Sequence, residues 1–204
     1  MPSRNIVRND AVNSFYHVYA RGHGKMDIFR DDEDYRVFLN LFKRYLCDSE
    51  QKDYSGRAYV SLRGSIELNC YCIMPNHFHL IFYQVDLGTM SKLMHNVTIS
   101  YGRYFNDKYK LTGTIFESTY KASIITTEGY VLHISRYVHL NPKKWRTYDY
   151  SSLPYFVNVL SSDWIAPHRI LDMFLSVNEY MVFLSDYEGY RCSLREIKFY
   201  LANS

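Results

Sequence analysis

What most restricts the fold of this chain is the order in which its two hydrophobic periods alternate. "SFYHVYARG" (14–22) is aromatic and β-branched and is closed by "RGHGK", the pattern of a strand running into a turn. "FRDDEDYRVFLNLFKRYLCDSE" follows with an acidic start suited to a helix N-terminus and with Val37, Phe38, Leu41, Phe42 and Tyr45 on one stripe. After the polar loop 50–58, "YVSLRGSIELNCYCIM" and "HFHLIFYQV" read as two strands meeting at Met74, Pro75 and Asn76. Met90, Leu93, Met94, Val97, Tyr101, Tyr104 and Phe105 then recur at helical spacing over roughly 88–107. "YKASIITT" (120–127) alternates as a strand, and Thr127 with Glu128 opens a third helix that Pro142 stops near Asn141. The order is β-α-β-β-α-β-α, and its first six elements fit an α+β fold of the ferredoxin-like split βαβ kind, an antiparallel sheet with helices packed on one face. We expect one domain over 1–150 and a helical or irregular C-terminal extension over 151–204.

Hydrophobic residues make up 47% and aromatic residues 17% of the chain, enough for a packed core, so global disorder is excluded. No apolar run approaches the roughly 20 residues that cross a bilayer, and the N-terminus lacks the apolar segment of a signal peptide. The expected location is therefore cytoplasmic, and nucleoid-associated if the partner is DNA. Cys47, Cys70, Cys72 and Cys192 do not form the pattern of a secreted disulfide framework. The net charge is only +3, but residues 101–150 carry eight basic and four acidic side chains. This quarter thus holds the whole positive excess, the local zone that a phosphate backbone requires.

Within "CYCIMPNHFHLIFY" (70–83), His77 and His79 are two residues apart on a strand and so project from the same face, while Phe78, Leu80 and Phe82 point the other way. Two neutral imidazoles side by side can hold one divalent ion with further positions open. A competing arrangement adds Cys70 and Cys72, which would close a tetrahedral structural zinc site with His77 and His79 in a non-catalytic nucleic-acid-binding module. In the third helix Tyr130, His133, Tyr137 and Asn141 share one face beside the apolar stripe Val131, Ile134 and Val138. If that face covers the histidine pair, Asn141 can offer a carbonyl oxygen to the ion and Tyr137 a phenol beside a bound phosphate. Lys143, Lys144 and Arg146 follow at once, with Arg21, Arg103 and Lys121 as further candidates for phosphate contact.

"YCIMPNHFHLIF", the amphipathic helix ending "YGRYFNDKY", "GTIFESTYKASII" and "SRYVHLNPKK" together resemble the REP-associated single-tyrosine transposases of the HUH (His-hydrophobic-His) endonuclease superfamily. The resemblance runs over about residues 14–156, with Thr119 and Tyr150 standing where the family often has a basic residue and a tryptophan. It implies a ferredoxin-like catalytic core that cuts and rejoins single-stranded DNA, usually beside imperfect hairpins, through a 5′-phosphotyrosine intermediate. His77, His79 and Asn141 would be ligands of Mg²⁺ or Mn²⁺, and Tyr137 the nucleophile. Related enzymes work as homodimers with the tyrosine supplied in trans, or as monomers.

Overall fold

The computed structural model describes residues 10–189. Strands β1 (Ser14–Arg21), β2 (Ile66–Met74), β3 (His77–Gln84) and β4 (Lys121–Ile125) form one antiparallel sheet in the order β2-β3-β1-β4. Helix α1 (Asp32–Leu46) joins β1 to β2, α2 (Thr89–Tyr109) joins β3 to β4, and α3 (Glu128–His139) follows. This is the split βαβ order expected from the sequence. Three short helices come later, α4 (Leu153–Phe156), α5 (His168–Leu171) and α6 (Val177–Ser185).

Period-two alternation gives the sheet two faces. On one, Tyr16, Val18, Leu68, Tyr71, Ile73, Phe78, Leu80 and Phe82 pack against the apolar stripes of α1 and α2, so the two connecting helices do share a face. The other face presents Cys70, Cys72, Ile81 and Ile125 to α3, and α4 to α6 complete that second core. Helix α1 starts where the Asp31 carboxylate accepts from Asp34 N at 3.1 Å, with three acids in its first turn and Lys43 and Arg44 in its last. Asp34 is itself buried, and Lys108, Tyr104 and Tyr109 reach it at 2.9, 2.9 and 2.8 Å. Lys108 also pairs with Asp31 and Glu33, so part of the basic zone is neutralised inside the fold, on the α1/α2 side of the sheet.

Two local features decide what the second face carries. Strand β2 begins at Ile66, later than the expected start near residue 59, because Gly64 takes φ 78° in a turn and Leu62 folds back to donate to Tyr45 O at 2.8 Å. Further along, Leu68 pairs with Phe82 but Cys70 pairs with Ile81, leaving Asn69 as the extra residue of a bulge. A one-residue slip exchanges the faces of a strand. The bulge therefore puts Cys72 opposite His79 instead of Phe78. Asn69 is buried and donates through its amide to Ala166 O at 3.0 Å.

The outer edge of β2 is covered by the chain around the expected boundary at residue 150. Ile73 N donates to Tyr150 O and Ser152 N to Tyr71 O, each at 2.9 Å, and Ala166 N reaches Leu68 O at 2.8 Å. Tyr150 stacks on Tyr35 at 3.7 Å between ring centres. Cys47, Cys70 and Cys72 are free thiols, whereas Cys192 lies outside the described residues. Among the described residues no helix is long and apolar enough to cross a membrane.

Gly22 closes β1 where space is shortest: a Cβ there would lie 2.2 Å from Met26 O and 2.9 Å from Ile28 Cγ2. Gly22→Ala should therefore destabilise the fold by about 1–3 kcal/mol, seen as a lower urea midpoint at unchanged slope.

Candidate active site

The site is built on the β2–β3 turn. Pro75 O accepts from Ile28 N and Phe29 N at 2.8 and 2.9 Å, and Asn76 O accepts from Gly22 N at 2.9 Å. The Asn76 amide donates to Lys25 O at 3.2 Å, which turns its Oδ1 toward His77 Nδ1 at 2.6 Å. Oδ1 can only accept, so His77 carries its proton on Nδ1. Its Nε2 then faces Asn141 Oδ1 at 3.2 Å.

His79 is one step further along β3, its ring centre 5.2 Å from that of His77. Nε2 lies 3.3 Å from the Tyr137 hydroxyl, and Nδ1 lies 3.0 Å from Nε2 of His17. His17 was not among the sequence candidates. It stands on β1 with its ring 5.1 Å from His79 and nearly parallel to it, and 5.2 Å from Tyr19 on its other neighbour side. It is fully buried, and burial lowers its pKa to about 3, so the ring is neutral. Its Nδ1 has no hydrogen-bond partner. Leaving such a group unpaired costs about 1–3 kcal/mol, which marks the position as one where packing alone did not choose the residue. The available signal was a histidine at the centre of a strand otherwise rich in core-forming side chains.

Helix α3 lies over this face. Thr127 caps it by accepting from Tyr130 N at 3.3 Å, and it ends at His139, just before Asn141 and Pro142. Tyr137 is 5% exposed, and burial pushes its phenol up to about 12, against the opposing influence of the Asn141 amide and the Arg21 charge. His133, expected on the same helical face, is exposed and pairs with Arg136 at 2.9 Å, so it does not join the histidine pair.

The C-terminal end of α3 is pinned by a second residue outside the sequence candidates. Buried His139 meets Tyr180 OH and Ser152 Oγ at 2.7 Å each and Cys70 Sγ at 3.3 Å. This network ties α3 to β2, to the start of α4 and to α6. It fixes the helix between Tyr137 and Asn141.

The same network competes with the four-ligand zinc arrangement for Cys70. The bulge does bring Cys70 and Cys72 to the histidine face, but Cys70 is engaged by His139 and Ser152. Burial pushes the Cys70 thiol up to about 12 and the Cys72 thiol well above its ordinary value. Among the described residues no three His, Cys, Asp or Glu side chains form a metal-holding group.

The set His77, His79 and Asn141 has a different character. His77 Nε2 and Asn141 Oδ1 lie 3.2 Å apart, two atoms whose types can both ligate a divalent cation. The Nδ1 proton of His77 is already given to a carbonyl oxygen, the outer contact that orients metal-bound imidazoles. An N₂O donor set of this kind fits a divalent ion that tolerates imidazole, Mn²⁺ better than Mg²⁺.

Of the basic candidates, Arg21 pairs with His77 across β1 and β3, and Lys121 pairs with Tyr19, its Nζ 5.8 Å from that ring. Lys143 and Lys144 are exposed just after Asn141. Arg146 stacks on Trp145 at 4.1 Å and donates to Ser185 Oγ at 3.1 Å. Arg103 is exposed on α2, across the sheet from the histidines.

Comparison with known proteins places the chain in a family. The family model "Transposase IS200 like" matches residues 35–141, more than half of the chain, a span that contains His77, His79, Tyr137 and Asn141. The fold is similar to a solved REP-associated tyrosine transposase bound to a REP hairpin, with TM-score 0.53 and 14% identity over 78% of this chain and 89% of that one. A protein from Deinococcus radiodurans R1, whose transposase assignment is itself provisional, aligns with TM-score 0.39 and 12% identity over 64% of this chain and 92% of that one. No curated protein matches the chain. On the family match, the chain belongs to the IS200-like transposases, enzymes that cut and rejoin DNA.

Proposed function

We propose that this protein cleaves and rejoins single-stranded DNA through a 5′-phosphotyrosine on Tyr137, assisted by a divalent ion held by His77, His79 and Asn141. The observation that carries this reading is the Tyr137 hydroxyl 3.3 Å from His79 Nε2, two groups of one chain converging on one face of the sheet. This convergence within one chain supports a tyrosine that acts in cis.

In the proposed step the Tyr137 oxygen attacks phosphorus as its proton passes to solvent. The bond from phosphorus to the 3′ oxygen breaks, and that oxygen takes a proton from solvent to leave as a hydroxyl. One phosphoester replaces another, so a 3′-hydroxyl can reverse the reaction and join strands without ATP. When bound, Mg²⁺ or Mn²⁺ supplies Lewis acidity to the scissile phosphate and favours the phenolate over the phenol. Asn76 keeps His77 oriented, and the His139 network pins the end of α3 between Tyr137 and Asn141.

Arg21, Lys121, Lys143, Lys144 and Arg146 border this side of the molecule and fit contacts to a phosphate backbone. Arg103 falls outside that path. A flexible single strand can align its phosphate with the phenol, and exposed aromatic rings can stack its bases. The hairpin carried by the similar solved transposase supports a substrate flanked by hairpins.

The test incubates the protein with hairpin-flanked single-stranded oligonucleotides and Mn²⁺ and resolves covalent species on a denaturing gel. An adduct is expected for the wild type and is lost in His77→Ala. Mixing His77→Ala with Tyr137→Phe should not restore it. Restoration would mean that the tyrosine works in trans.

A further inference from the structure

We infer that His17 is a positioning residue that holds His79 in the tautomer whose Nε2 faces the site unprotonated, an inference that rests on the proposed role of His79 as a metal ligand. A single proton lies between His17 Nε2 and His79 Nδ1, which are 3.0 Å apart. If His79 donates it, Nε2 of His79 presents a lone pair toward Tyr137 at 3.3 Å and is open to a cation. If His17 donates it, Nε2 of His79 carries hydrogen and is closed to any metal. His17 thus decides which nitrogen of its neighbour is usable.

The surroundings point to the first arrangement. The register places His17 opposite Ile81 and Ser123, inside the second core. An imidazole stands there, fully buried and with Nδ1 unpartnered. Its only paired nitrogen is the one that meets His79. Tyr19 stacks on His17 with the planes 20° apart, and His17 lies 12° from the plane of His79, so ring rotation in the layer is restrained. The Tyr137 oxygen already accepts from the Asn141 amide, so its hydroxyl proton is directed to Nε2 of His79 at 3.3 Å, a bond that needs that nitrogen unprotonated.

Long-range ¹H–¹⁵N NMR of the metal-free wild type reads the tautomers directly. His79 is expected with hydrogen on Nδ1 and a pyridine-type Nε2. A proton on Nε2 of His79 overturns the inference. His17→Phe keeps a ring in the layer and removes both the acceptor and the unpartnered nitrogen. Mn²⁺ affinity, followed by electron paramagnetic resonance, should fall about 10–100-fold while the melting temperature holds or rises, a divergence that a merely structural role does not produce. His17→Gln, whose amide oxygen can accept from His79, should recover most of that affinity. Wild-type Mn²⁺ affinity in His17→Phe overturns the inference. Should that variant fail to fold, an affinity in His17→Gln as low as that of His77→Ala does so. A wild type that binds no Mn²⁺ defeats the metal reading instead, and the NMR tautomer then judges His17 alone.

Discussion

Tyr137→Phe is expected to reduce strand cleavage and covalent adduct formation by a factor on the order of 10⁴ or more, to below detection on a gel. Its melting temperature should stay close to the wild type's. The substitution removes one oxygen from a side chain that is 5% exposed and leaves its ring in the α3 layer against Cys72, Val138 and the histidines. The lost contacts are the 3.3 Å approach to His79 and the hydrogen bond from the Asn141 amide, neutral bonds whose net worth is about 1 kcal/mol each. Binding of uncleaved oligonucleotide should likewise persist, because the basic residues that border the site are untouched. Chemistry, stability and affinity therefore separate in one variant, as they do for a nucleophile and do not for a packing residue. Gel assays and a thermal melt on the same preparation check all three. With 21 tyrosines in the chain, an adduct that survives in Tyr137→Phe would assign the nucleophile elsewhere.

The second large effect is on stability in acid. Burial lowers the pKa of His139 to about 3, from an ordinary value of 6.5. The sign follows from which state binds the proton. Above pH 6.5 the imidazole is neutral in folded and unfolded chains alike, and its contribution is fully present. As the pH falls toward 3, the unfolded chain takes up a proton that the folded one refuses, so stability is lost at about 1.4 kcal/mol per pH unit. The groups that face the ring are Tyr180 OH, Ser152 Oγ and Cys70 Sγ, none of which supplies a negative charge near neutrality. Between pH 6.5 and 5 the wild type should lose about 2 kcal/mol through this residue alone. His139→Gln keeps an uncharged hydrogen-bonding side chain and should flatten the pH profile by that amount. Urea denaturation of both proteins at the two pH values checks it, and equal slopes would contradict it.

The order of elements was legible because α1 and α2 each repeat apolar residues over several turns, while the strands alternate or run continuously apolar. The site candidates were legible for the same reason. Spacing of two on β3 aligned His77 with His79, and helical spacing aligned Tyr137 with Asn141. What the sequence did not disclose lies where residues meet across elements. The bulge at Asn69 has no glycine or proline to announce it, yet it sets which face Cys70 and Cys72 occupy. His17 and His139 sit inside apolar runs, where a lone histidine looks like any core residue. Their roles arise from neighbours 62 and 13 positions away, His79 and Ser152. Nor could local charge reveal that Lys108 is spent on Asp31, Glu33 and Asp34, on the α1/α2 side of the sheet.

Peptide mass spectrometry of the wild-type protein after reaction with a single-stranded oligonucleotide and Mn²⁺ tests the central claim most directly. The account predicts a peptide spanning "YVHLNPK" that carries the 5′-phosphate of the cleaved strand on Tyr137, with the other product ending in a 3′-hydroxyl. A phosphate attached to any other side chain, or cleavage with Tyr137 unmodified throughout the time course, would contradict it.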